Sequence, residues 1–240
     1  MEIVYLNTNG FYSDKNKRDF SDEDNQKNAE RILQEIFKLY SPNILFFSEF
    51  NANSQVSKFV INFLVEEKKY HCVYPNGGKE LSERHTSIVL AFSKEEKESE
   101  PSANNWLKWN EILMDGYMIV GVHIPDSRYQ LKDAKDFWEC LERHYQKNIS
   151  NKVIYIGDMN VFKAGTFGKN KFNKIFETAK DAWLSMGHSN DGELDYTCKY
   201  KSRIDYAILS PSMPEVLEMH NHQEFFKKML SDHSLLQIKF

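Results

Sequence analysis

The sequence predicts an α/β fold in which two mostly antiparallel sheets pack face to face, with helices on their outer sides. Apolar runs of strand length are interleaved with helical stripes along the 240 residues, and several strands follow one another without a helix between them. Apolar residues make up 41% of the chain, which is enough for a substantial core. Strands without helical crossovers need a second layer to cover them. We predict one domain over residues 1–240, because one continuous core would serve both sheets.

The elements of the first half follow from apolar spacing. Residues 3–6 form a short strand, and a helical stripe runs from Ala29 to Tyr40 behind an acidic helix start. Pro42 ends that helix, and the apolar run 44–47 is typical of a buried strand. The same reasoning predicts a helix over 56–64 and strands over 70–74 and 86–92.

The second half continues the interleaving of strands and helices. Residues 94–105 are charged and polar, which is typical of an exposed loop. The apolar pattern then predicts strands over 106–113, 118–124, 153–156, 204–209 and 234–240, and helices around 137–141 and 172–179.

Bulk composition excludes some classes of protein. The formal net charge of −4 disfavours tight, non-specific coating of nucleic acid, although an enzyme can still bind nucleic acid locally. Cys72, Cys140 and Cys198 are widely spaced and fit neither a disulfide framework nor a zinc pattern, so we interpret them as reduced core thiols. No apolar run approaches membrane length, and the chain opens without a basic, then apolar, leader. We predict a cytoplasmic monomer with no membrane partner.

Glu49 follows directly on the apolar strand of residues 44–47. A carboxylate at the end of a buried strand is costly unless it is paired or bound to a metal. It is either a solvated strand end or a ligand of Mg²⁺ or Mn²⁺, which prefer oxygen donors.

The segment GDMN at residues 157–160 ends another apolar strand. Gly157 permits a sharp exit from the strand. In extended backbone Asp158 and Asn160 point to the same side, so Asp158 could accept a proton from a water while Asn160 orients a phosphate oxygen. The alternative is an Asx turn that caps the strand.

Two histidines lie at strand ends. His233 precedes the last strand, and Asp205 is a candidate partner that would stabilise its cationic form near a phosphate. The alternative is a satisfied strand-end histidine. His123 lies late on another apolar strand and is either a second functional imidazole or a polar residue between strands. Neither a glycine-rich phosphate loop nor a His-Glu-x-x-His zinc motif is present.

Seven short segments form one ordered series: LNTNG at 6–10, FSE at 47–49, SIVLAFS at 87–93, VHIP at 122–125, GDMN at 157–160, SRIDY at 202–206 and SDH at 231–233. The series resembles the motifs of the endonuclease/exonuclease/phosphatase superfamily. That superfamily includes deoxyribonuclease I, exonuclease III, inositol polyphosphate 5-phosphatases and neutral sphingomyelinases. Each motif is short, but the complete series is specific, and it spans the whole chain.

The resemblance implies a deoxyribonuclease I-like, four-layer α/β sandwich with its site at one rim of the paired sheets. Glu49 would be the principal ligand of Mg²⁺ or Mn²⁺, and the Asp205–His233 pair would polarise the scissile phosphate. The implied sets are catalytic His123, Asp158, Asn160, Asp205 and His233; metal-binding Asn7, Glu49 and Asp232; and phosphate-binding Asn9 and Arg203. For Arg203 the alternative is an ordinary surface ion pair.

The chain departs from parts of the family pattern. Ser48 stands where the family usually has Gln. His123 follows deoxyribonuclease I and the sphingomyelinases, whereas exonuclease III has Tyr at this place. A glutamate supports this histidine in the deoxyribonuclease I pattern, and Glu83 is the nearest candidate.

These observations predict a divalent-metal-dependent phosphodiesterase, an endonuclease or exonuclease that hydrolyses DNA. The alternatives are action on RNA, inositol phosphates or a lipid headgroup, or a catalytically inactive binding scaffold. The basic and aromatic stretch from Lys163 to Lys174 either touches a phosphate backbone or is the solvated face of a helix.

Overall fold

The computed structural model describes residues 1–12, 22–51, 54–75, 87–95, 97, 106–161, 166–190 and 192–240. The strands are β1 (Glu2–Asn7), β2 (Ile44–Phe50), β3 (His71–Val73), β4 (Ile88–Ser93), β5 (Trp109–Met114), β6 (Tyr117–His123), β7 (Lys152–Asp158), β8 (Lys180–Asp181), β9 (Asp205–Leu209), β10 (Glu218–His222) and β11 (Leu235–Lys239). The helices are α1 (Asp22–Leu39), α2 (Gln55–Asn62), α3 (Leu131–Asn148), α4 (Phe167–Ile175), α5 (Ala182–Ser185) and α6 (Glu224–Lys227). Among the described residues, no helix combines the length and apolarity needed to cross a bilayer.

The strands form two sheets. One has the order β10-β11-β1-β2-β4-β3 and the other β5-β6-β7-β9-β8. All neighbouring strands are antiparallel except the β1–β2 and β6–β7 pairs, which are parallel. The prediction of two mostly antiparallel sheets is therefore confirmed.

Three apolar clusters separate four layers. Strand β1 shows how side chains are sorted, because Ile3 and Tyr5 enter the cluster between the sheets while Val4 and Leu6 enter the cluster beneath helix α1. A third cluster joins helices α3 and α4 to the outer face of the other sheet. The order helix, sheet, sheet, helix confirms the predicted four-layer sandwich.

Some elements differ from the sequence prediction. The helix predicted over 56–64 ends as α2 at Asn62 and continues as a π-helix, Phe63–Glu67. Strand β10 was not predicted, because it is an edge strand in which Met219 is the single buried apolar residue. A 3₁₀ turn, Trp106–Lys108, occupies the start of the strand predicted over 106–113.

The topology brings strand ends from both sheets to one edge. Strands β1 and β2 are parallel and end there together, and antiparallel β11 begins beside them. In the other sheet β6 and β7 end together and antiparallel β9 begins beside them. Residues at the ends of β1, β2, β6 and β7 and at the starts of β9 and β11 are therefore brought together at that edge.

Candidate active site

Strand alternation turns most of the predicted site residues inward. In β7 the side chains of Ile154 and Ile156 belong to the inter-sheet cluster, while Val153 and Tyr155 belong to the outer one. Asp158 follows in the inward series and faces the other sheet. The same period of two places further polar groups on the inward side at this edge: Asn7, His123 and Asp205.

Glu49 reaches the cleft through a β-bulge. The β2–β4 register shifts between Phe47 and Phe50, and both phenylalanines pack in the cluster beneath helix α1. Glu49 lies between them with φ 48°, in the left-handed region that non-glycine residues rarely adopt. The bulge directs the carboxylate into the cleft, where its side chain is 24% exposed.

Gly157 is required by the close approach of β6. A Cβ at this position would lie 1.9 Å from the carbonyl oxygen of Val122, and φ is +152°. A side chain would therefore force β6 and β7 apart just before Asp158. The prediction that Gly157 lets the chain leave the strand is therefore wrong: Gly157 lies inside β7, paired on both sides, and permits the close contact with β6.

Asn7 joins the acidic groups of the two sheets. Its amide nitrogen Nδ2 donates to Glu49 Oε1 and to Asp158 Oδ2, at 3.2 Å each. Its Oδ1 accepts from the backbone N–H of Asn9 at 3.0 Å. In this arrangement Asn7 orients two carboxylates, and its role as a metal ligand stays a prediction.

Tyr5 makes a second link between the sheets beneath the cleft. Its hydroxyl is 2.6 Å from Ser48 Oγ and accepts from the backbone N–H of Asp158 at 2.9 Å. Both side chains are fully buried. The departure from the family pattern at Ser48 is thus matched by a hydroxyl that holds the end of β7.

His233 and Asp205 form the predicted pair. His233 Nδ1 lies 2.8 Å from Asp205 Oδ2, and both residues are buried. Burial opposes a charged imidazole, but Asp205, which also hydrogen-bonds the ring, together with Asp158 and Asp232, raises the pKa of His233 well above its usual value. The Thr197 hydroxyl accepts from the backbone N–H groups of Ile204 and Asp205 at 2.9 Å each and so fixes the start of β9.

Asp158 lies between the two imidazoles. Its Oδ2 is 3.9 Å from His233 Nε2 and 3.9 Å from His123 Nε2, and His123 Nε2 is 3.8 Å from Glu49 Oε1. Asp158 Oδ1 accepts from the backbone N–H of Asn160 at 2.9 Å, while the Asn160 amide donates to Ile124 O at 2.8 Å. Three predicted residues, His123, Asn160 and His233, therefore surround the Asp158 carboxylate, and Glu49 lies beside His123.

The carboxylates at this edge are buried close together, so their negative charges repel one another. Burial and the neighbouring Asp205 raise the pKa of Asp158 to about 8, although His233 and the Asn160 N–H partly offset the shift. A bound cation would favour the ionised carboxylate and reverse this tendency.

The donor set fits a hard divalent cation. The carboxylates of Glu49 and Asp232 line one cleft, and Mg²⁺ and Mn²⁺ prefer such oxygen donors. Asp158, Asp205 and His233 also offer donor atoms within 4.8 Å of one another. Because the Nδ1 atom of His233 already contacts Asp205, we interpret these three residues as an acid–imidazole group. Glu49 and Asp232 as ligands of the cation stay a prediction.

The cleft has a volume of about 280 Å³ and contains residues that the sequence did not reveal. Lys108 lines the cleft beside Glu49 and Asp158; burial lowers the pKa of Lys108, and the two acids oppose this shift. The other additional lining residues lie on loops and turns without a recognisable motif; they include Asp126, Arg128, Tyr129 and Tyr200. Only the fold shows that these residues face the site.

A larger hollow of about 510 Å³ lies along β10. Trp183, His188 and His220 line it, but it contains none of the predicted site residues. We place the chemistry in the smaller cleft because the acids and imidazoles converge there.

Arg203 lies outside the cleft. Its guanidinium donates to Asp181 Oδ1 at 2.7 Å and to Asn190 Oδ1 at 2.9 Å, and it stacks over the ring of Tyr206 at 4.4 Å. The structure therefore corrects the assignment of Arg203 to phosphate binding, and the alternative of an ion pair describes it better, although the pair is buried.

The side chain of Asn9 is also held within the fold. Asn9 is buried, and its amide donates to the carbonyl oxygen of Tyr12 at 3.1 Å, which uses one of its two N–H groups. A phosphate contact by Asn9 stays a prediction.

Two lysines of the basic stretch after the GDMN segment already have an acidic partner. Lys171 and Lys174 both pair with Glu142, on α3. This pairing favours a solvated helix face over contact with a phosphate backbone. Lys163 and Glu83 lie outside the described residues.

Comparisons with known proteins identify the fold. No family model matches the chain, and no curated protein sequence does. A 3′-5′ exonuclease, NExo, from Neisseria meningitidis superposes with a TM-score of 0.71 at 14% identity, covering 100% of this chain and 99% of that one. A second similar structure is NExo from Neisseria, described as a 3′ phosphatase and bound to a product DNA hairpin.

Two further structures agree. An AP endonuclease from Archaeoglobus fulgidus gives a TM-score of 0.71 at 18% identity over 100% of this chain and 99% of that chain. TDP2 from C. elegans gives 0.67 at 17% identity over 99% of this chain and 74% of that chain. These proteins belong to the deoxyribonuclease I-like superfamily. The chain therefore has the fold of the endonuclease/exonuclease/phosphatase superfamily, as its ordered motifs indicate.

Proposed function

We propose that this protein is a divalent-metal-dependent phosphodiesterase that hydrolyses DNA. The observation that carries the proposal is the meeting of the His233–Asp205 pair with Asp158 and His123 in one cleft that also contains Glu49 and Asp232. A buried acid between two imidazoles, with further carboxylates alongside, suits hydrolysis of an anionic ester.

Asp158 and His233 divide the work of the reaction. Ionised Asp158 accepts a proton from the attacking water, whose oxygen forms the new bond to phosphorus in line with the departing oxygen. Cationic His233, held by Asp205, donates toward a non-bridging phosphate oxygen, where negative charge accumulates. The bond from phosphorus to the leaving oxygen then breaks, and that oxygen receives a proton from His123 or from water.

Glu49 and Asp232 would hold Mg²⁺ or Mn²⁺. Such an ion supplies Lewis-acid stabilisation of charge on the phosphate oxygens. Asn7 keeps the Glu49 carboxylate and Asp158 in fixed relation, since it donates to both. Asn160 lines the cleft beside Asp158, and its second amide N–H would contact a phosphate oxygen.

The structural neighbours support DNA as the substrate class. Two of them are named as an exonuclease and an AP endonuclease, and one was solved with a DNA hairpin. Lys108 adds positive charge to the cleft, where a polynucleotide backbone would approach. The monomeric state and the cytoplasmic location remain predictions.

Hydrolysis of defined substrates tests the proposal. Supercoiled plasmid and end-labelled DNA oligonucleotides are incubated with protein in Mg²⁺, in Mn²⁺ and in EDTA, beside RNA, inositol phosphates and sphingomyelin. We expect metal-dependent cleavage of DNA by the wild-type protein and by the His220→Ala control, whose exposed imidazole lines the other hollow.

The His233→Ala variant should be almost inactive on the same substrates. Turnover of inositol phosphates or sphingomyelin without cleavage of DNA would replace DNA by a small or lipid ester. Metal binding without turnover of any ester would support a binding scaffold instead.

A further inference from the structure

Two exposed tyrosines lie at the mouth of the cleft. Tyr129 is 82% exposed and Tyr200 is 68% exposed, and both line the same cleft as Asp158 and His233. Among the Phe, Trp and Tyr side chains whose exposure the structure describes, the only other one in this exposed class is Tyr12. Single exposed rings are ordinary on a protein surface, so the informative observation is that both rings line the cleft that contains the acids and imidazoles.

Ordered turns hold both rings. Asp126 accepts from the backbone N–H of Tyr129 at 3.0 Å through its carbonyl and from the backbone N–H of Arg128 at 2.8 Å through its side chain. Tyr200 lies in the turn between Cys198 and Ser202, which form a β-bridge with each other. Because the backbone at both rings is already fixed, contact with a ligand costs little ordering entropy.

The second turn is attached directly to the catalytic segment. Cys198 also forms a bridge with His233, and the Lys199 N–H donates to the carbonyl oxygen of Asp232 at 2.9 Å. Tyr200 therefore keeps a fixed position relative to the imidazole that faces the phosphate.

A cation accompanies each ring. The guanidinium of Arg128 lies 5.6 Å from the ring centroid of Tyr129, and the ammonium of Lys199 lies 5.3 Å from that of Tyr200. An aromatic face beside a positive charge matches one unit of a nucleic-acid strand, which pairs a flat base with a phosphate. Inositol phosphates offer no aromatic face, and the cation already at each ring disfavours the positively charged choline group.

The cleft can hold only the reacting part of such a strand. Its volume of about 280 Å³ lies at the lower limit of pockets that enclose a whole small ligand, about 300–1,000 Å³. The flanking nucleotides must therefore lie outside, where the two tyrosines are exposed. In a duplex, base faces are covered by their neighbours, so an exposed ring can stack only on an unpaired or terminal base.

We propose that Tyr129 and Tyr200 form a stacking subsite for unpaired nucleobases next to the scissile phosphate. This inference rests on the proposed function. The preferred substrate is a single-stranded segment, an overhang or a frayed end of a nucleic acid. Lys199 contacts a phosphate of the same nucleotides, while the guanidinium of Arg128 stays paired with the Asp126 carboxylate beside the Tyr129 ring.

Binding and cleavage are measured separately to test this subsite. Fluorescence anisotropy with a labelled single-stranded DNA oligonucleotide is recorded in Mg²⁺ on the His233→Ala background, alone and with Tyr129→Ala or Tyr200→Ala added. We expect each alanine to weaken binding by about 5- to 150-fold, which corresponds to about 1–3 kcal/mol for one base–aromatic stack. Tyr129→Phe and Tyr200→Phe should restore binding, whereas Leu217→Ala, an exposed control in the other hollow, should have no effect.

An oligonucleotide with base-free residues on both sides of the cleavage site completes the design. The stacking subsite requires that the alanine variants bind this probe as well as the parent protein does, and that the parent binds it less tightly than the intact strand. Equal binding of intact strand by the parent and both alanine variants would overturn the inference, and the two tyrosines would be cation–π partners only.

Cleavage by the protein with His233 intact distinguishes this inference from the proposed function. Loss of binding in the alanine variants, without hydrolysis of any nucleic acid by the wild-type protein, would retain the subsite and reject the nuclease. Hydrolysis of blunt duplex as fast as of single strand, with alanine variants at wild-type KM, would retain the nuclease and reject the subsite.

Discussion

Two buried ion pairs, one of Arg203 and one of Asp205, involve residues two positions apart in the chain but differ in what surrounds them. Arg203 pairs with Asp181 at 2.7 Å, and His233 pairs with Asp205 at 2.8 Å. Arg203 has a second acceptor in Asn190 and the ring of Tyr206 beneath it, so its polar groups are directed into the protein. His233 instead directs Nε2 toward Asp158 across a 3.9 Å gap at the cleft.

The carboxylates differ in the same way. Asp181 accepts from Arg203 and from the backbone N–H groups of Trp183 and Leu184, at the start of α5. Asp205 uses Oδ2 for His233, while its buried Oδ1 has no hydrogen-bond partner among the described residues. A pair with completed contacts stabilises a fold, whereas a pair left incomplete beside a cleft is available to a substrate.

Removal of Arg203 gives the largest expected effect on stability. Arg203→Ala leaves the Asp181 carboxylate buried without its cation, and such losses cost about 3–5 kcal/mol of the free energy of unfolding. Urea denaturation measures the loss, and kcat/KM of the folded fraction should stay unchanged. The exposed Arg128–Asp126 pair supplies a control, since Arg128→Ala should cost at most about 1 kcal/mol. A tenfold loss of kcat/KM in a stable Arg203→Ala protein would restore Arg203 to phosphate binding.

Removal of His233 gives the largest expected effect on the reaction. His233→Ala deletes the charge that faces the phosphate, and kcat should fall by about 100- to 1,000-fold. Initial rates on labelled DNA measure the fall, and circular dichroism checks that the fold persists. A variant with near-wild-type turnover would show that the pair at this end is structural, like the one at Arg203.

Substitution of Glu49 extends the comparison from the two ion pairs to the acid that we propose as a metal ligand. Glu49→Gln keeps the size of the side chain but removes the charge offered to a cation, so the Kd for Mn²⁺ should rise by at least about tenfold. Calorimetric titration measures this Kd without reference to turnover, and Glu218→Gln on exposed β10 is the control. An unchanged Kd would move the cation to the Asp158, Asp205 and His233 group.

Asp158 predicts a smaller effect that depends on pH. With its folded pKa raised to about 8, the carboxyl keeps its proton in the metal-free fold while the unfolded chain releases it near pH 3.9. The stabilisation from the retained proton is present at low pH and is lost as pH rises toward 8. Relative to the wild type, Asp158→Asn should therefore gain stability between pH 5 and pH 9 in EDTA.

Thermal unfolding in EDTA at pH 5, 7 and 9 measures that gain. A change of about 1 kcal/mol corresponds to about 2–4 °C in Tm for a chain of this size. The exposed Asp136→Asn variant should show no such trend. A gain that shrinks with rising pH would mean that His233 keeps Asp158 ionised in the fold.

Most of the fold could be predicted because its strands are apolar runs with clear ends. Strand β10 could not, since an edge strand needs no apolar run and its residues are mostly polar. The ordered motifs also indicated Asn7, Asp158, Asp205 and His233 through their resemblance to the superfamily. The period of two along β1, β7 and β9 explains why Asn7, Asp158 and Asp205 face inward.

Other parts of the site depend on long-range geometry. Arg203 and Asp205 are two residues apart, yet Arg203 precedes β9 and turns toward Asp181, which no local pattern reveals. Tyr129 and Tyr200 lie in turns without a motif, and only the packing of those turns beside the cleft gives them a role. Glu49 was predicted as a ligand, but the bulge that aims it is a matter of register with β4.

The Tyr5 hydroxyl makes the chemistry sensitive to the packing of distant side chains. This hydroxyl links Ser48 of one sheet to the backbone of Asp158 in the other. It therefore spans the interface between the two sheets that carry the catalytic groups. A shift of about 1 Å between reacting groups can lower a rate by about a hundredfold. Enlarging Gly121, whose Cβ would lie 2.3 Å from the ring of Phe46, would wedge the layers apart. Turnover would then report on the spacing of the sheets well before the molecule unfolds.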